Sequence, residues 1–399
     1  MNAPAAPTAI APQPVSLDLI RTLVGYDTTS RDSNLALIHW VRDYLAGYGI
    51  ESLLTFDDDR RKANLFATLP AQDGNSATGG VVLSGHTDVV PVDGQPWDTP
   101  PFEATIVGER LHGRGVADMK SFAAIGLAQV PALLRRGLKR PLHFALSYDE
   151  EVGCIGVRRL IADIGARGIK PSGCIIGEPS GMRVVVAHKG KRSHRCRVRG
   201  HEAHSALTPY GVNAIQVASG IVTFLTQMAR RFREVGPFDA AYDVPYTTVH
   251  TGVIRGGTAL NIVPRDCQFD FEFRHLPGDD PDALLAEVRG FAATLLPDMH
   301  AVDPATYIEF QPISASPGYD SRDGGEIAKL GKVCSATHDT SKVSFGSEAA
   351  LFHSAGMPAI ICGPGHIAQA HQPNEWVALQ QLALCEAFMA RLADHLCVA

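Results

Sequence analysis

The residues of this 399-residue chain best suited to chemistry are histidines and acids that follow short apolar runs. VVLSG (81–85) leads into His86-Thr87-Asp88, LHFALSY (142–148) into Asp149-Glu150-Glu151, and CIIG (174–177) into Glu178. If these runs are strands of an open α/β sheet, their carboxyl ends share the rim where such sheets gather ligands. Asp118, in GRGVADMK, precedes a helix-like stretch, and His371, in AHQPNEW, lies in a polar loop before another.

Each of these residues also has an ordinary structural reading. In His86-x-Asp88, alternation along extended backbone lets the Asp88 carboxylate accept one imidazole N–H while the other nitrogen binds metal. A hydrogen-bonded loop histidine beside a turn aspartate has the same pattern. Asp118 suits an N-cap or first-turn acid, Asp149-Glu150-Glu151 an acidic turn, Glu178-Pro179 a strand end facing water, and His371 a surface position. The combination is more specific than its parts. Two histidines and three carboxylates (His86, Asp118, Glu151, Glu178, His371) suit two divalent ions roughly 3.5 Å apart and bridged by one aspartate; of the adjacent Glu150 and Glu151, this pattern lets one serve as ligand and the other as general base. Zn²⁺ is the first expectation for such N/O donors, with Co²⁺ or Mn²⁺ as alternatives. The eight cysteines contain no C-x-x-C pair, so they read as reduced, mostly buried thiols and leave metal binding to histidine and carboxylate.

Delivering these groups to one rim requires a sheet covered on both faces. Helix-like stretches at 15–26 and 33–47 precede the strand-like runs 64–69, 81–85, 142–147 and 174–177, with a long helix-like stretch at 119–136 between two of them. This alternation predicts an α/β fold with a mixed, mostly parallel sheet. From 190 the texture changes to strand, helix, strand, strand, helix, strand (189–199, 213–233, 247–254, 267–274, 282–296, 306–313), the order of a ferredoxin-like α+β sandwich. A helix at 323–335, a strand at 358–363 and a helix at 376–396 then resume the first texture. The expected organisation is a catalytic domain of residues 15–189 and 315–399, interrupted by an inserted domain of 190–314 and preceded by a loose Pro/Ala-rich tail at 1–14.

Composition narrows the function classes. With 36 Lys+Arg against 42 Asp+Glu the net charge is −6, which gives no field for nucleic acid or an anionic membrane. Arg195, Arg197 and Arg199 alternate on one strand and read as a solvated face rather than a polyanion site. No apolar run reaches a membrane span, and the first residues lack the basic start and apolar core of a secretion signal, so a cytoplasmic protein is expected.

The strings SGHTDVVP (84–91), GRGVADMK (113–120), DEEVG (149–153), GEPS (177–180), RGHEAHS (199–205) and AHQPNEW (370–376) resemble, in this order, those of the dinuclear zinc metallo-deacylases. That family includes acetylornithine deacetylases, succinyl-diaminopimelate desuccinylases, aminoacylases and glutamate carboxypeptidases. The segments VVAHKG, DVPYTTVHTG, NIVPRDCQFDFEFRHLPG and GSEAALF are most similar to its acetylornithine-deacetylating branch. Ser121 departs from the glycine that commonly follows DMK.

The resemblance implies hydrolysis of an N-acyl amino acid, N²-acetyl-L-ornithine first, in arginine biosynthesis. Other N-acyl amino acids, N-succinyl-diaminopimelate and dipeptides are the alternatives. It implies that His86 and Glu178 hold one ion, Glu151 and His371 the other, and that Asp118 bridges them. Asp88 would orient His86. Glu150 would take a proton from the attacking water and return it to the leaving amine, and the Asp118–Met119 peptide would be cis. It further implies a homodimer formed through the inserted lid, with His204, rather than its neighbour His201, stabilising the oxyanion across the dimer. Asn261 and Arg274 are the candidates for the substrate α-carboxylate and Glu348 for an ornithine ammonium. A metal-binding relative without turnover is the alternative of another class, and the intact Glu150-Glu151 pair argues against it.

Overall fold

The computed structural model describes residues 11–321 and 325–397. Most of the expected N-terminal tail lies outside them. Residues 11–13 have no regular structure, and the first helix, Pro14–Val24, opens on a proline whose missing N–H costs nothing at that position. The chain divides into two compact units, one of 1–187, 320–341 and 347–399, the other of 188–319 and 342–346.

The first unit is mixed α/β. In its large sheet seven strands lie in the order Ser52–Phe56, Ala63–Leu69, Leu142–Ser147, Val81–His86, Gly173–Pro179, Ala359–Gly363 and Val184–His188. The centre is parallel: Val81–His86 pairs in parallel with both Leu142–Ser147 and Gly173–Pro179, and Gly173–Pro179 with Ala359–Gly363. The flanking pairs are antiparallel. Every residue of the four central strands is buried, as their unbroken apolar runs require of a sheet covered on both faces.

The structure departs from the expected elements where a local rule intervenes. The stretch 119–136 is two helices, Lys120–Ala128 and Val130–Arg136, the second carrying Pro131 in its first turn, where its absent N–H is tolerated. The last helix begins at Leu379 rather than Trp376, because Trp376–Ala378 is a strand paired with Arg110–His112 in a small three-stranded sheet. Strands Ser52–Phe56 and Val184–His188 and helix Ile155–Ala166 were not anticipated.

The second unit is an antiparallel four-stranded sheet in the order Thr248–Gly256, Asp266–His275, Gly190–Arg199, Tyr307–Ser316. Helices Ala214–Val235 and Pro281–Ala293 complete a ferredoxin-like sandwich. Asp266–His275 alternates buried and outward residues along its length, and its inward Phe269, Phe271 and Phe273 pack with Ile221, Leu225 and Val288 in the core. Arg195 pairs with Asp270 and Arg199 with Asp266 across neighbouring strands, the solvated face expected of that alternation. All eight cysteines are buried and free. Among the described residues no helix is long and apolar enough to cross a membrane.

Candidate metal centre

His86 ends the central strand Val81–His86. The two strands parallel to it end at the same rim, so Glu150 and Glu151 arrive in the turn after Leu142–Ser147 while Glu178 lies near the end of Gly173–Pro179. The first of these turns is tied down. Asp149 has a left-handed φ of 55°, and its carboxylate pairs at 2.5 Å with Lys62, which also donates to the Ser30 carbonyl. Asp118 stands just before helix Lys120–Ala128 and is followed by a cis peptide to Met119. His371, with φ 60°, lies in the loop before Trp376–Ala378.

These side chains converge. The two carboxylate oxygens of Asp118 face different imidazoles, Oδ1 at 2.9 Å from His86 Nε2 and Oδ2 at 3.2 Å from His371 Nε2. His371 Nε2 is also 3.1 Å from Glu151, and His86 Nε2 is 3.8 Å from Glu178. Two sets of donors, His86-Glu150-Glu178 and His86-Asp118-Glu151, each bring one ligand atom per residue to within 4.8 Å of the others.

Crowding of buried acids dominates the electrostatics. Burial pushes the Glu150 carboxyl up to about 8, His86 working against it and Glu151 and Glu348 adding to it. Burial next to Asp118 drives Glu178 well above the carboxylate range, and burial with the same neighbour raises Glu151. Asp118 resists its own burial, because hydrogen bonds from His371 and His86 hold it below the ordinary value. His86, despite complete burial, is raised well above the usual imidazole range by Asp118, and His371 is raised to about 10 by hydrogen bonds to Asp118 and Glu151. Four acids and two imidazoles packed this tightly favour added positive charge. The donors are nitrogen and oxygen only, since the one nearby thiol, Cys154, is raised well above its ordinary value by burial and donates to Glu150 at 3.1 Å. The set fits divalent ions of the zinc, cobalt or manganese kind.

Asp88 takes a different part from the one expected. Its carboxylate is 3.7 Å from His86 Nδ1, and the ring bonds instead to the Asp88 main-chain carbonyl at 2.8 Å. The alternation argument assumed extended backbone through 86–88, but the strand ends at His86. The freed carboxylate accepts the N–H groups of Glu150 at 3.0 Å and Glu151 at 3.3 Å and the Ser30 hydroxyl at 2.7 Å. It therefore holds the turn that carries both glutamates.

Glu348 lies in the core at 1% exposure, accepting hydrogen bonds from Ser84 at 3.2 Å and from Ser147. The remaining candidates belong to the second unit. His204 is exposed and caps the short helix Ser205–Tyr210, its Nδ1 accepting from the Ala206 N–H at 3.1 Å. It forms a bridge with Ile262, and the Asn261 carbonyl accepts the Ser205 N–H at 3.0 Å, so His204 and Asn261 share one loop pair. Arg274 is half-buried on its strand and donates to Glu272 at 2.9 Å.

Sequence reasoning missed Glu375, which lies four residues past His371 within AHQPNEW and resembles a loop acid. It is 1% exposed and bonds to the backbone of the Asp118 loop. Cys154, four residues after Glu150, carried no signal beyond that spacing.

The chain matches the model of peptidase family M20/M25/M40 over residues 82–395. It is 35% identical over 383 residues to an acetylornithine deacetylase of Myxococcus xanthus, covering 94% of this chain and 96% of the relative. It is 33% identical over 398 residues to the acetylornithine deacetylase of Proteus mirabilis, covering 97% and 98%. Among solved structures, aminopeptidase PepT from Bacillus cereus superposes with a TM-score of 0.75 at 20% identity, covering 96% of this chain and 99% of that one. A dinuclear metal-binding peptidase of the M20 family from Bacillus subtilis superposes with a TM-score of 0.68 at 16% identity, covering 95% and 96%. At these identities the structural likeness speaks for the fold.

Proposed function

Because the chain belongs to peptidase family M20/M25/M40 and is a hydrolase of that family, we propose that it removes the acetyl group from N²-acetyl-L-ornithine, releasing acetate and L-ornithine. The observation that carries the chemistry is the convergence of His86, Asp118, Glu151, Glu178 and His371, with the two oxygens of Asp118 facing different histidines. The substrate reading is supported by near-full-length relatives of that name at 30–35% identity.

In this reading His86 and Glu178 hold one ion, Glu151 and His371 the other, and Asp118 stands between them. When bound, two divalent ions, Zn²⁺ first, supply Lewis acidity that polarises the amide carbonyl and makes water acidic enough to attack at neutral pH. Glu150 takes the proton from that water and returns it to the amine nitrogen as the C–N bond breaks. Its burial and its position in a turn held by Asp88 support this role over that of a sixth ligand, a part its place beside His86 and Glu178 would also allow. Asp88 keeps the Glu150-Glu151 turn in register and holds the His86 ring through its carbonyl.

His204 is proposed to stabilise the developing oxyanion in the site of a partner subunit, within a homodimer built through the second unit, here assigned as the lid. Mixing inactive His204→Ala and Glu150→Ala proteins tests this, since heterodimers should regain part of the activity; verified heterodimers without it exclude the cross-subunit role. Asn261 and Arg274 are proposed to receive the α-carboxylate, Arg274 exchanging Glu272 for substrate. Glu348 is proposed to receive the ornithine ammonium, for which a substrate chain has to displace the Ser84 and Ser147 hydroxyls.

The deciding experiment is kcat/KM across N-acetylornithine, N-acetylmethionine, N-succinyl-diaminopimelate and a set of dipeptides. N-acetylornithine should lead. A preference for any other member of the panel overturns the substrate assignment, and two-ion binding without amide hydrolysis overturns the enzymatic reading.

A further inference from the structure

The loop carrying Asp118 has its backbone donors gathered on one buried acid. Glu375 Oε1 accepts the N–H groups of Gly115 at 3.1 Å, Ala117 at 2.9 Å and Asp118 at 3.2 Å. Gly115 has φ 84°, a conformation that turns its N–H toward the same point as the other two and that a side chain would resist. Such a nest of amides is an anion site, here filled by a carboxylate from the chain itself. The other oxygen, Oε2, takes Arg114 Nη1 at 2.8 Å. Arg114 is as buried as Glu375, each at 1% exposure, and its Nη2 donates to Gln95 at 2.7 Å.

The segment that supplies Glu375 also supplies His371. It is anchored at its far end, where the Glu375 carbonyl accepts the Gly113 N–H at 3.0 Å and Trp376 pairs with His112. One short stretch thus holds Asp118 at both ends, Glu375 on its main-chain N–H and His371 on its carboxylate at 3.2 Å. Each contact fixes the other's distance.

We infer that Glu375 is a positioning residue of the metal centre, setting the backbone of Asp118 and its spacing from His371 so that both face the same pair of ions. The inference rests on the reading of Asp118 and His371 as ligands. A buried Glu375–Arg114 ion pair by itself is weak evidence of function, because such pairs are often exchangeable for apolar packing. The three amides distinguish this acid, since they belong to the loop that ends on a ligand, and groups that orient a ligand typically change metal affinity 10–100-fold.

The test uses the full-length protein as wild type, Glu375→Gln, Glu375→Ala and Arg114→Met. Zn²⁺ stoichiometry and affinity are measured by chelator competition, alongside kcat, KM and thermal unfolding with and without Zn²⁺. Glu375→Gln should keep the fold but release at least one ion about 10–100-fold more readily, with kcat falling and KM within about twofold of wild type. Arg114→Met should lower the unfolding temperature with a smaller loss of Zn²⁺ affinity. If Glu375→Gln and Arg114→Met lower the unfolding temperature alike and both bind two ions as tightly as wild type, Glu375 is only a structural acid and the inference is overturned. If Glu375→Ala does not fold, Glu375→Gln decides alone, because it keeps the side-chain length while its uncharged oxygen accepts the three loop N–H groups less strongly than a carboxylate does. Wild type that binds no second ion overturns the two-ion reading itself, a result visible before any variant is made.

Discussion

At the scale of single residues, Glu150 carries the sharpest expectation. If it moves the proton, Glu150→Ala should reduce kcat about 10²–10⁴-fold, the usual worth of a positioned acid–base group, while metal analysis still finds two ions. Activity within tenfold of wild type removes it from that role. The residues flanking strands were legible because a histidine or acid directly after a buried apolar run has few other places to be: His86, Glu150, Glu151 and Glu178 all follow such runs. Asp88 was misread in its contact, since one residue's change from strand to turn exchanges a carboxylate for a carbonyl at the imidazole. Glu375 was illegible for a different reason. Its partners are backbone amides, which have no sequence signature, and a fully buried acid in a polar loop is written like an exposed one.

At the scale of elements, the site depends on how closely strands and helices approach. Gly177, the residue before Glu178, has no room for a side chain, because a Cβ there would lie 2.0 Å from Phe122 Cγ on the helix that follows Asp118. The same close approach presses the Glu178 strand against the helix that follows Asp118, so two proposed ligands share one packing constraint. Gly177→Ala should destabilise the protein by about 1–3 kcal/mol, the usual cost of overpacking, and weaken metal retention. The added change Phe122→Ala should restore part of the metal retention even where it does not restore stability, and equal metal affinity in Gly177→Ala and wild type removes the constraint. Unbroken apolar runs made the central strands readable and helical patterning both ferredoxin-like helices, and composition alone could not have given their order. The strand Trp376–Ala378 was hidden because its pairing partner, Arg110–His112, is short and distant in sequence.

At the scale of the whole molecule, the metal-free protein has a definite pH dependence. His371 is raised to about 10, so its contribution to stability is full below the unfolded imidazole value near 6.5 and is lost as pH rises through about 10. Glu150 is raised to about 8, and an acid raised on folding acts with the same sign, losing its contribution between the unfolded carboxylate range and about 8. Metal-free protein should therefore unfold at progressively lower temperature as pH climbs from about 6 to 10. In the proposed centre ion binding must expel the protons held by the imidazoles of His371 and His86, so stabilisation by Zn²⁺ should grow over the same range. Calorimetric titration of Zn²⁺ at pH 7 in buffers of different ionisation enthalpy should register proton release, and a heat independent of buffer contradicts the assignment.

The position of Ala359–Gly363 between Gly173–Pro179 and Val184–His188 bears on how the protein is made. During synthesis the ribosome has to complete the entire second unit before this strand emerges, and His371 and Glu375 emerge later still. Until then the nascent chain carries four of the five proposed ligands beside an open, apolar sheet edge, the kind of edge that recruits strands from other chains. Cellular yield should thus depend on how well that edge is shielded in the interval, and substitutions in the late-arriving strand Ala359–Gly363, away from the proposed ligands, become candidates for poor expression rather than poor turnover.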